Sequence, residues 1–308
     1  MQLSFLQHVN FDYIGKRYFF FAVSAVLIGV GVVSFIVRGG PNYSIDFTGG
    51  ILVQAAFEKP VAMTDVRAAL TEGGIEKLEL QSSRNAVIIR AKKQDIDQDV
   101  FSRKVAGILQ AKFPQNPMVI ERTEYVGPTV GRHLASQAFW AMILSFIGII
   151  IYVAFRLHSS IWGMAGVLGI MHDVIIVFGM FVLFNKEINL TAIAAFLTIA
   201  GYSINDTIVI FDRLRENLRY LSKEDFGTVI NRTVNSMLPR TFITSFTVFM
   251  VVLALYLLGG QTIHDFAFAM LAGVVIGVYS TVFICTPLVY EWEQFRRRRA
   301  ARLARPRK

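Results

Sequence analysis

Residues 190–211 read LTAIAAFLTIAGYSINDTIVIF, an apolar stretch with a single acidic residue, Asp206, inside it. About 20 such residues in helical form cross the roughly 30 Å hydrocarbon core of a bilayer. An unpaired carboxylate at that depth costs several kcal/mol, so it needs a partner or a function. Arg240, directly before the apolar stretch 241–258, is a candidate partner at a matching depth. The two residues therefore predict a proton-responsive pair between two membrane helices.

The composition places the chain among integral membrane proteins. Of its 308 residues, 54% are hydrophobic and 26 are Phe, more than a soluble domain of this length would tolerate at its surface. Apolar runs of about 18 or more residues predict transmembrane helices. Six such runs occur, at residues 19–37, 138–155, 161–183, 190–211, 241–258 and 266–290.

Basic residues mark one face of the predicted helix bundle. Lys16 and Arg17 precede the first span, and the C-terminal segment 291–308 is strongly basic. Because Lys and Arg are retained on the cytoplasmic side, the N-terminal segment 1–18 and the basic tail are both expected there. The first span is too long for a cleavable signal peptide and no Ala-x-Ala site follows it, so we expect a retained anchor.

The formal net charge of +9 follows largely from this topology. It also predicts an attraction of the basic tail to anionic lipid head groups. No recognition motif accompanies the tail, so we expect no nucleic-acid partner. Between the fourth and fifth spans, Phe226, Ile230 and Val234 recur at helical spacing, which predicts a cytoplasmic amphipathic segment at about 218–238.

One exported segment is large, residues 38–133. Apolar residues alternate or cluster in it, as they do in strands, at 50–57, 75–81, 85–91 and 118–125. Two helices interrupt these strands, one with Thr64 as its N-cap and one at 97–113. The order βαββαβ is the ferredoxin-like arrangement. The predicted fold class is an α-helical membrane protein with six transmembrane helices, the last five within 138–290, plus one exported α+β ferredoxin-like domain.

No catalytic or metal-binding set is visible in the sequence. His133 and the scattered acidic residues of the exported segment show neither a nucleophile and base pairing nor metal-ligand spacing. The single cysteine, Cys285, lies in the last span and has no partner for an intramolecular disulfide. We therefore expect a protein that is not an enzyme and holds neither a metal nor a cofactor.

Four motifs, taken in order along the chain, resemble the SecF family of the bacterial Sec protein-export machinery, which is related to the RND transporters. They are YSIDFTGG (43–50), VGPTVG (126–131), GYSINDT (201–207) continuing to FDRLREN (211–217), and Arg240 with Thr241 before the fifth span. The resemblance covers nearly the whole chain up to about Pro287. Ser44 departs from the family's commoner Gly at that position, which concerns only the local turn.

The resemblance implies a partner and an energy source. SecF proteins work with SecD, a homologous six-span subunit, and the pair associates with the SecYEG channel and commonly with YajC and YidC. In the family the pair uses the proton gradient to help draw unfolded exported polypeptides out of the channel after SecA has pushed them in. It also implies the bacterial inner (plasma) membrane, with the soluble domain periplasmic. Six spans and one exported domain are half of an RND-type arrangement, so SecD would supply the other half.

The candidate site residues follow from the same comparison and from their depth. Asp206 and Arg240 match the family's intramembrane aspartate and its basic partner, and separating them would raise the affinity of Asp206 for a proton. The alternative is a static buried ion pair that fixes helix register. A proton relay or a merely structural polar network is expected at Tyr202, Ser203, Asn205, His172 and Asp173.

Gly273 and Gly277 form a small-xxx-small face that predicts close helix packing, within this chain or on SecD. Two other functions remain open at this point. One is an RND-type half-transporter of a small molecule or lipid, which should have a polar cavity in the exported domain. The other is a scaffold of the translocon without a motor role.

Overall fold

A computed structural model describes residues 10–75, 78–83, 86–92, 97–157, 159–220 and 224–303. They fall into a helical unit, formed by the chain up to Asn42 and from Ala141 onward, and an α+β unit, Tyr43–Trp140. In chain order the elements are α1 (Arg17–Arg38), β1 (Asn42–Tyr43), α2 (Ile45–Thr48), β2 (Gly50–Phe57), α3 (Met63–Glu72), β3 (Leu78–Ser83), β4 (Ala86–Lys92), α4 (Gln98–Lys112), β5 (Met118–Val126), α5 (Pro128–Leu157), α6 (Ser160–Leu183), β6 (Glu187–Ile188), α7 (Leu190–Tyr220), α8 (Phe226–Leu258), α9 (Gln261–Ser280), a π-helical turn (Thr281–Cys285) and α10 (Thr286–Leu303).

Six helical stretches of the described chain are long and apolar enough to cross a membrane. They are α1, α5, α6, α7, α8 and the continuous stretch Ile263–Ala300, which runs through α9, the π-helical turn and α10. The six predicted spans are therefore confirmed. The helices extend beyond the apolar runs because their polar ends, such as the last three turns of α7, keep the same backbone hydrogen bonds outside the apolar region.

The helices α6 and α7 and the stretch Ile263–Ala300 form the centre of the helical unit. In the most apolar part of α6, 56% of the residues are buried, against 11% in α1 and in α5. Gly31 of α1 packs directly on Gly179 of α6, where an added Cβ on Gly31 would lie 2.9 Å from the Gly179 Cα. The outer helices thus leave large apolar side chains for lipid or another protein, as expected of a membrane bundle.

The glycine face of α9 packs within this chain. A Cβ on Gly273 would lie 2.4 Å from the Cγ1 of Ile199 in α7, and one on Gly277 would lie 3.4 Å from the Cβ of Ser203. Of the two partners left open by the sequence, the structure selects the neighbouring helix α7. Gly273 is the position where no larger residue fits without a shift.

The predicted amphipathic segment at about 218–238 belongs to two helices in the structure. Its first residues end α7, and the residues from Phe226 onward begin α8, which continues past Pro239 to Leu258. Phe226, Ile230 and Val234 are buried in the core of the helical unit with Tyr13 and Ile14. The apolar face detected in the sequence is therefore covered by protein rather than by a membrane surface.

The residues before α1 are tied to the start of α8, an attachment that sequence reasoning missed. The Asn231 Oδ1 accepts hydrogen bonds from the backbone N–H groups of Tyr13 (3.0 Å) and Ile14 (3.1 Å), while its Nδ2 donates to Asp12 (2.7 Å). One turn further, Asn235 exchanges two hydrogen bonds with the backbone of Phe11 (3.0 and 2.9 Å). Two side-chain amides on one helix face thus hold the backbone of Phe11, Tyr13 and Ile14.

Two pKa shifts accompany this attachment. The backbone N–H of Gly15 and then the side-chain amide of Asn231 lower the pKa of Asp12 below its ordinary value of 3.8. Burial raises the pKa of Tyr13 to about 12. The ionised Asp12 therefore stabilises the folded state fully above pH 3.8, and this stabilisation is lost as the pH falls through the lowered pKa. The neutral Tyr13 stabilises the folded state fully below pH 10.0, and this stabilisation is lost as the pH rises through its raised pKa of about 12.

In the α+β unit the chain runs β2-α3-β3-β4-α4-β5, and the sheet order is β3-β4-β2-β5. All neighbouring strands are antiparallel, with Val53 opposite Ile89 on one side and Thr123 on the other. Residues from β2, β3, β4, α3 and α4 share one apolar core. Within the described residues, the four predicted strands and two predicted helices are confirmed as elements. Residues 76, 77 and 85 of the predicted strands lie outside the described residues.

The predicted N-cap of the first of these helices is corrected. Ala62, in extended conformation, is the N-cap of α3, and the Thr64 hydroxyl contacts the Asp65 carboxylate (3.4 Å) instead of a backbone N–H. The second helix has the expected kind of cap. The Asp97 carboxylate accepts hydrogen bonds from the N–H groups of Asp99 and Val100.

The motifs 43–50 and 126–131 meet in the α+β unit. Gly49 has a φ of +70°, and an added Cβ there would lie 3.0 Å from the Cα of Pro128. A Cβ on Gly131 would lie 3.0 Å from the backbone nitrogen of Gly49. Ser44 caps α2 by accepting a hydrogen bond from the Asp46 N–H (3.1 Å) in an extended conformation that any residue adopts. Ser in place of Gly is thus unstrained.

We expect Gly49→Ala to destabilise the protein by about 1–3 kcal/mol, because the residue combines a left-handed backbone with a close backbone neighbour. The full chain in detergent is heated, and the temperature at which trypsin begins to digest the α+β unit measures the loss of stability. Gly107→Ala is the matched control, since no atom lies within 4 Å of the added Cβ in α4. It should hold or slightly raise stability. Equal behaviour of the two variants would contradict the assignment of Gly49.

We expect Asn231→Ala to detach the segment before α1, because it removes two acceptor contacts and one donor contact at once. Trypsin should then cleave the detergent-solubilised protein at Lys16 and Arg17 several times faster than in the wild type. Asn205→Ala is the control, since Asn205 is exposed and makes no hydrogen bond with the described residues. Unchanged cleavage in Asn231→Ala would show that other contacts hold the segment.

Candidate functional site

Asp206 lies on the side of α7 that faces α8. Its Oδ2 accepts a hydrogen bond from the hydroxyl of Ser245 in α8 (3.2 Å), and the hydroxyl of Tyr202, one turn earlier on α7, donates to the Ser245 oxygen (3.1 Å). Ser245 is buried, whereas Asp206 and Tyr202 are half-buried. The three side chains form a short hydrogen-bonded group at the edge of the bundle, which we call the Asp206 group.

Arg240 does not form an ion pair with Asp206 in the described part of the chain. None of its nitrogens lies within 4.0 Å of the carboxylate oxygens, and its side chain is exposed at the beginning of the apolar part of α8. It lies on α8 five residues before Ser245, about one and a half turns from the residue that contacts Asp206. In this structure the carboxylate contacts Ser245 instead of Arg240, and the proton-responsive pair of Asp206 and Arg240 stays a prediction.

Asn205 also differs from the expected role. It is exposed on α7, and no hydrogen bond joins it to the described residues. Ser203, by contrast, is buried and faces inward, toward Asp173 of α6. The polar residues of the run 201–207 thus split between two faces of one helix, which the sequence pattern alone did not resolve.

The inward face of α7 contacts a second carboxylate, Asp173 of α6, which has no exposed surface. Its Oδ1 lies 2.8 Å from the Nδ1 of His172. Its Oδ2 accepts hydrogen bonds from the hydroxyls of Ser203 (2.5 Å) and of Ser280 in α9 (2.8 Å). The carboxylate therefore joins α6, α7 and α9 in the middle of the bundle.

The hydrogen bonds continue from His172 to α1. The Nε2 of His172 lies 2.9 Å from the Ser24 hydroxyl, which lies 3.0 Å from the Tyr279 hydroxyl. Tyr279 in turn donates to the backbone oxygen of Phe20 (2.7 Å). His172, Asp173 and Ser203 thus belong to one connected network, which we call the Asp173 network. It also includes Ser24, Tyr279 and Ser280, hydroxyl residues inside apolar spans that sequence reasoning did not select.

A π-helical turn adjoins the Asp173 network. It covers Thr281–Cys285, directly after Ser280, and the Thr281 hydroxyl pairs with that of Thr207 (2.8 Å). The Cys285 sulfur fills the space over Gly169, where an added Cβ would lie 2.2 Å from it. Such turns often occur at functional positions, since they rotate the following residues relative to a regular α-helix.

The arrangement fits proton binding better than other site chemistry. Among the described residues, no three His, Cys, Asp or Glu side chains are grouped as a metal site would require. Both carboxylates are surrounded by hydroxyl groups and, at Asp173, by an imidazole, which can exchange or orient a proton.

Comparison with known proteins shows the family of the chain. Residues 107–295 match the family model "Protein export membrane protein SecD/SecF, C-terminal", and residues 33–61 match the "SecD/SecF GG Motif". The second range contains Gly49 and Gly50, and the first contains both polar groups except Ser24. The first model alone covers more than half of the chain.

Individual proteins give the same result. The protein translocase subunit SecF of Endomicrobium trichonymphae is 51% identical over 290 residues, which are 94% of this chain and 94% of that protein. The SecF subunit of Magnetococcus marinus is 40% identical, with 96% of each chain covered. The crystal structure of SecDF, a translocon-associated membrane protein from Thermus thermophilus, superposes with a TM-score of 0.84 at 32% identity. The match covers 96% of this chain and 40% of SecDF. The chain therefore belongs to the SecD/SecF family of protein-export membrane proteins, among its SecF members.

Proposed function

We propose that the chain is a SecF-type subunit of a protein translocase, which uses the proton motive force to promote translocation through SecYEG after the step driven by SecA. The observation that carries the proposal is the Asp206 group. A half-buried carboxylate lies inside an apolar span with a serine in contact and an arginine nearby but separate. Such a group can bind a proton in one arrangement and release it in another.

A SecD subunit is the partner that this site requires. Asp206 and Tyr202 lie at the edge of the helical unit, and Arg240 is exposed. A carboxylate within a membrane span faces protein or water rather than lipid. This chain spans 40% of the SecDF chain from Thermus thermophilus, so the rest of that chain is what would cover the exposed side. We infer a heterodimer with SecD in which the Asp206 group lies at the interface.

Proton coupling follows from electrostatics. When Arg240 approaches, the ionised form of Asp206 is favoured, and when it withdraws, the protonated form is favoured. One charge moved through the membrane potential is worth about 2.3 kcal/mol per 100 mV, which is enough to bias two helix arrangements of similar energy. The static ion pair considered from the sequence is less favoured, since Asp206 contacts Ser245 instead.

The domain and orientation proposals rest on the flanking charges and on the strand order. With the basic ends cytoplasmic, the α+β unit is periplasmic, and its sheet order β3-β4-β2-β5 supports a ferredoxin-like domain. The start of α1 and α10 lie at one end of the helical unit, where Arg17 pairs with Glu291 (2.5 Å). This supports two cytoplasmic termini in the bacterial inner membrane.

Anionic lipid is the proposed partner of the basic tail. At the start of α6, a cleft of about 310 Å³ is lined by apolar and basic side chains together. Trp292 and Phe295 supply its apolar wall, and Arg296 and Arg299 its charge. An amphipathic cleft at the end of a span suits a phosphate head group with its acyl chains.

Other parts of the proposal rest on the family alone. They are contact with YajC and YidC, binding of the unfolded exported polypeptide, and a role in transport without enzymatic activity or a cofactor other than protons. A half-transporter of a small molecule is not favoured, because the relatives are protein translocase subunits. The export assay of Asp206→Asn distinguishes a scaffold without a motor role from a proton-driven subunit.

Asp206→Asn should abolish the proton-dependent part of export, because an amide cannot exchange a proton at this site. Export into inverted membrane vesicles, measured with and without a protonophore, should fall to the level of the protonophore-treated wild type. Asp212→Asn is the control, since Asp212 is a carboxylate on the same helix that pairs with Arg156. Full stimulation in Asp206→Asn, with the complex assembled, would favour the scaffold.

Asn205→Cys should cross-link to SecD, because Asn205 is exposed beside Asp206 on the proposed interface. The native Cys285 is buried and should not react. Val26→Cys on the outer surface of α1, where Val26 is 63% exposed, is the control. SecD variants with single cysteines along their own spans are co-expressed with each variant of this chain, and the membranes are treated with a short bifunctional thiol reagent. A cross-linked product with SecD should form from the cysteine at position 205 and not from the one at position 26. Equal yields from both positions would contradict the interface.

A further inference from the structure

The hydrogen bonds of the Asp173 network fix where its protons lie. Tyr279 has one hydroxyl proton, which it donates to the backbone oxygen of Phe20 (2.7 Å). The contact between Ser24 and Tyr279 (3.0 Å) is therefore donated by Ser24. Since the Ser24 proton is used there, the contact with the His172 Nε2 (2.9 Å) is donated by the imidazole.

The same reasoning places one proton between His172 and Asp173. With Nε2 as a donor, the Nδ1 of His172 meets the Oδ1 of Asp173 at 2.8 Å. This contact needs one proton, carried either by Nδ1 or by Oδ1. Both arrangements leave the pair with no net charge. Neutrality suits its position, because Asp173 is fully buried and His172 is 8% exposed.

Among the described residues, no other charged group contacts the pair to balance an ionised carboxylate. The titratable groups of the described residues that face Asp173 are His172 on its own helix α6, Tyr279 of α9 and Cys285 of the π-helical turn. From α7, Ser203 donates a hydrogen bond to Asp173, and from α1, Ser24 reaches the pair through His172. The network thus holds one exchangeable proton within an otherwise uncharged shell.

We propose that His172 and Asp173 form a second proton-binding site, which exchanges this proton in the cycle that the Asp206 group drives. The proposal rests on the proposed function. On release, the proton passes from the contact between Nδ1 and Oδ1 to a water molecule, and the pair changes from neutral to one negative charge. The carboxylate is then held by the hydroxyls of Ser203 and Ser280, already 2.5 and 2.8 Å from Oδ2. The imidazole keeps its Nε2 proton.

Release of the proton would also change the packing of the helices. Once the contact has lost its proton, two acceptors face each other across 2.8 Å, so the contact must open. Ser203 lies on α7 three residues before Asp206, and Ser280 directly precedes the π-helical turn. A movement of α7 that changes the contact between Asp206 and Ser245 would therefore also change the hydroxyl donors of Asp173. The two sites are coupled through one rigid helix.

Asp173→Asn tests the proposal, because asparagine copies the neutral state but cannot give up the proton. Its amide N–H can donate to the His172 Nδ1, and its oxygen can accept from Ser203 and Ser280. The variant should match the wild type in thermal stability and in co-purification with SecD. Its proton-dependent stimulation of export should be lost, as in Asp206→Asn. A network with only a structural role predicts full stimulation, which would overturn the proposal.

Ser280→Ala provides an independent readout if Asp173→Asn does not accumulate. It removes one donor to the ionised carboxylate and leaves the histidine contact intact. The pH profile of stimulated export should then shift to higher pH, because the deprotonated state has lost support. Thr286→Ala is the control, a buried hydroxyl on α10 whose hydrogen bond within the described residues goes to the Val282 backbone oxygen (2.7 Å). An unshifted profile in Ser280→Ala would overturn the proposal.

The two proposals fail in different ways. If Asp206→Asn keeps its stimulation, the proposed function fails. If Asp206→Asn loses stimulation while Asp173→Asn keeps it, the proposed function stands and the second proton site is rejected.

Discussion

The burial of the Asp173 carboxyl group is the constraint on which the helical unit depends. A carboxyl group without exposed surface must have a partner for every oxygen, or the bundle loses several kcal/mol. The partners come from α6, α7 and α9, with α1 joined through His172. The hydrogen bonds of this one carboxyl group and of His172 thereby hold four helices together at the same level of the bundle. The close contacts of Gly31 with Gly179, and of Gly273 with Ile199, bring the backbones near enough for these short side chains to meet.

The helix α7 connects this fixed centre to the edge of the unit. Ser203 binds Asp173 on its inward face, and Asp206 binds Ser245 on the face toward α8. A helix of this kind transmits a shift at one face to the other without any change in its own backbone. The inward contacts are complete within the chain, whereas Asp206 and Tyr202 remain half-buried at the edge. The Asp173 network is thus complete within one chain, whereas the Asp206 group is only partly enclosed by it.

Much of the fold followed from local pattern. Apolar runs located the six helices, and alternation located the four strands of the α+β unit, because both signals depend on neighbouring residues. Asp206 was conspicuous because it stands alone in its span. Its contact with Ser245 was not visible, since a serine in an apolar helix gives no signal of the side it faces. The same reason hid Ser24 and Ser280, which matter only because distant helices bring them to Asp173.

The segment before α1 shows why amphipathic patterns need a structure to be interpreted. Phe226, Ile230 and Val234 have the spacing of a helix on a membrane surface, yet they are buried against Tyr13 and Ile14. What decides between lipid and protein is the adjacent pair of amides, Asn231 and Asn235, on the same helix. Lipid offers no backbone groups for these amides, whereas a peptide segment outside regular secondary structure offers several. A row of amides spaced by one turn beside an apolar face therefore indicates a covering peptide segment, and here the chain's own residues before α1 supply it. The start of α8 is in this way joined to the start of α1. A movement of α8 at Ser245 would therefore also displace the beginning of the first span.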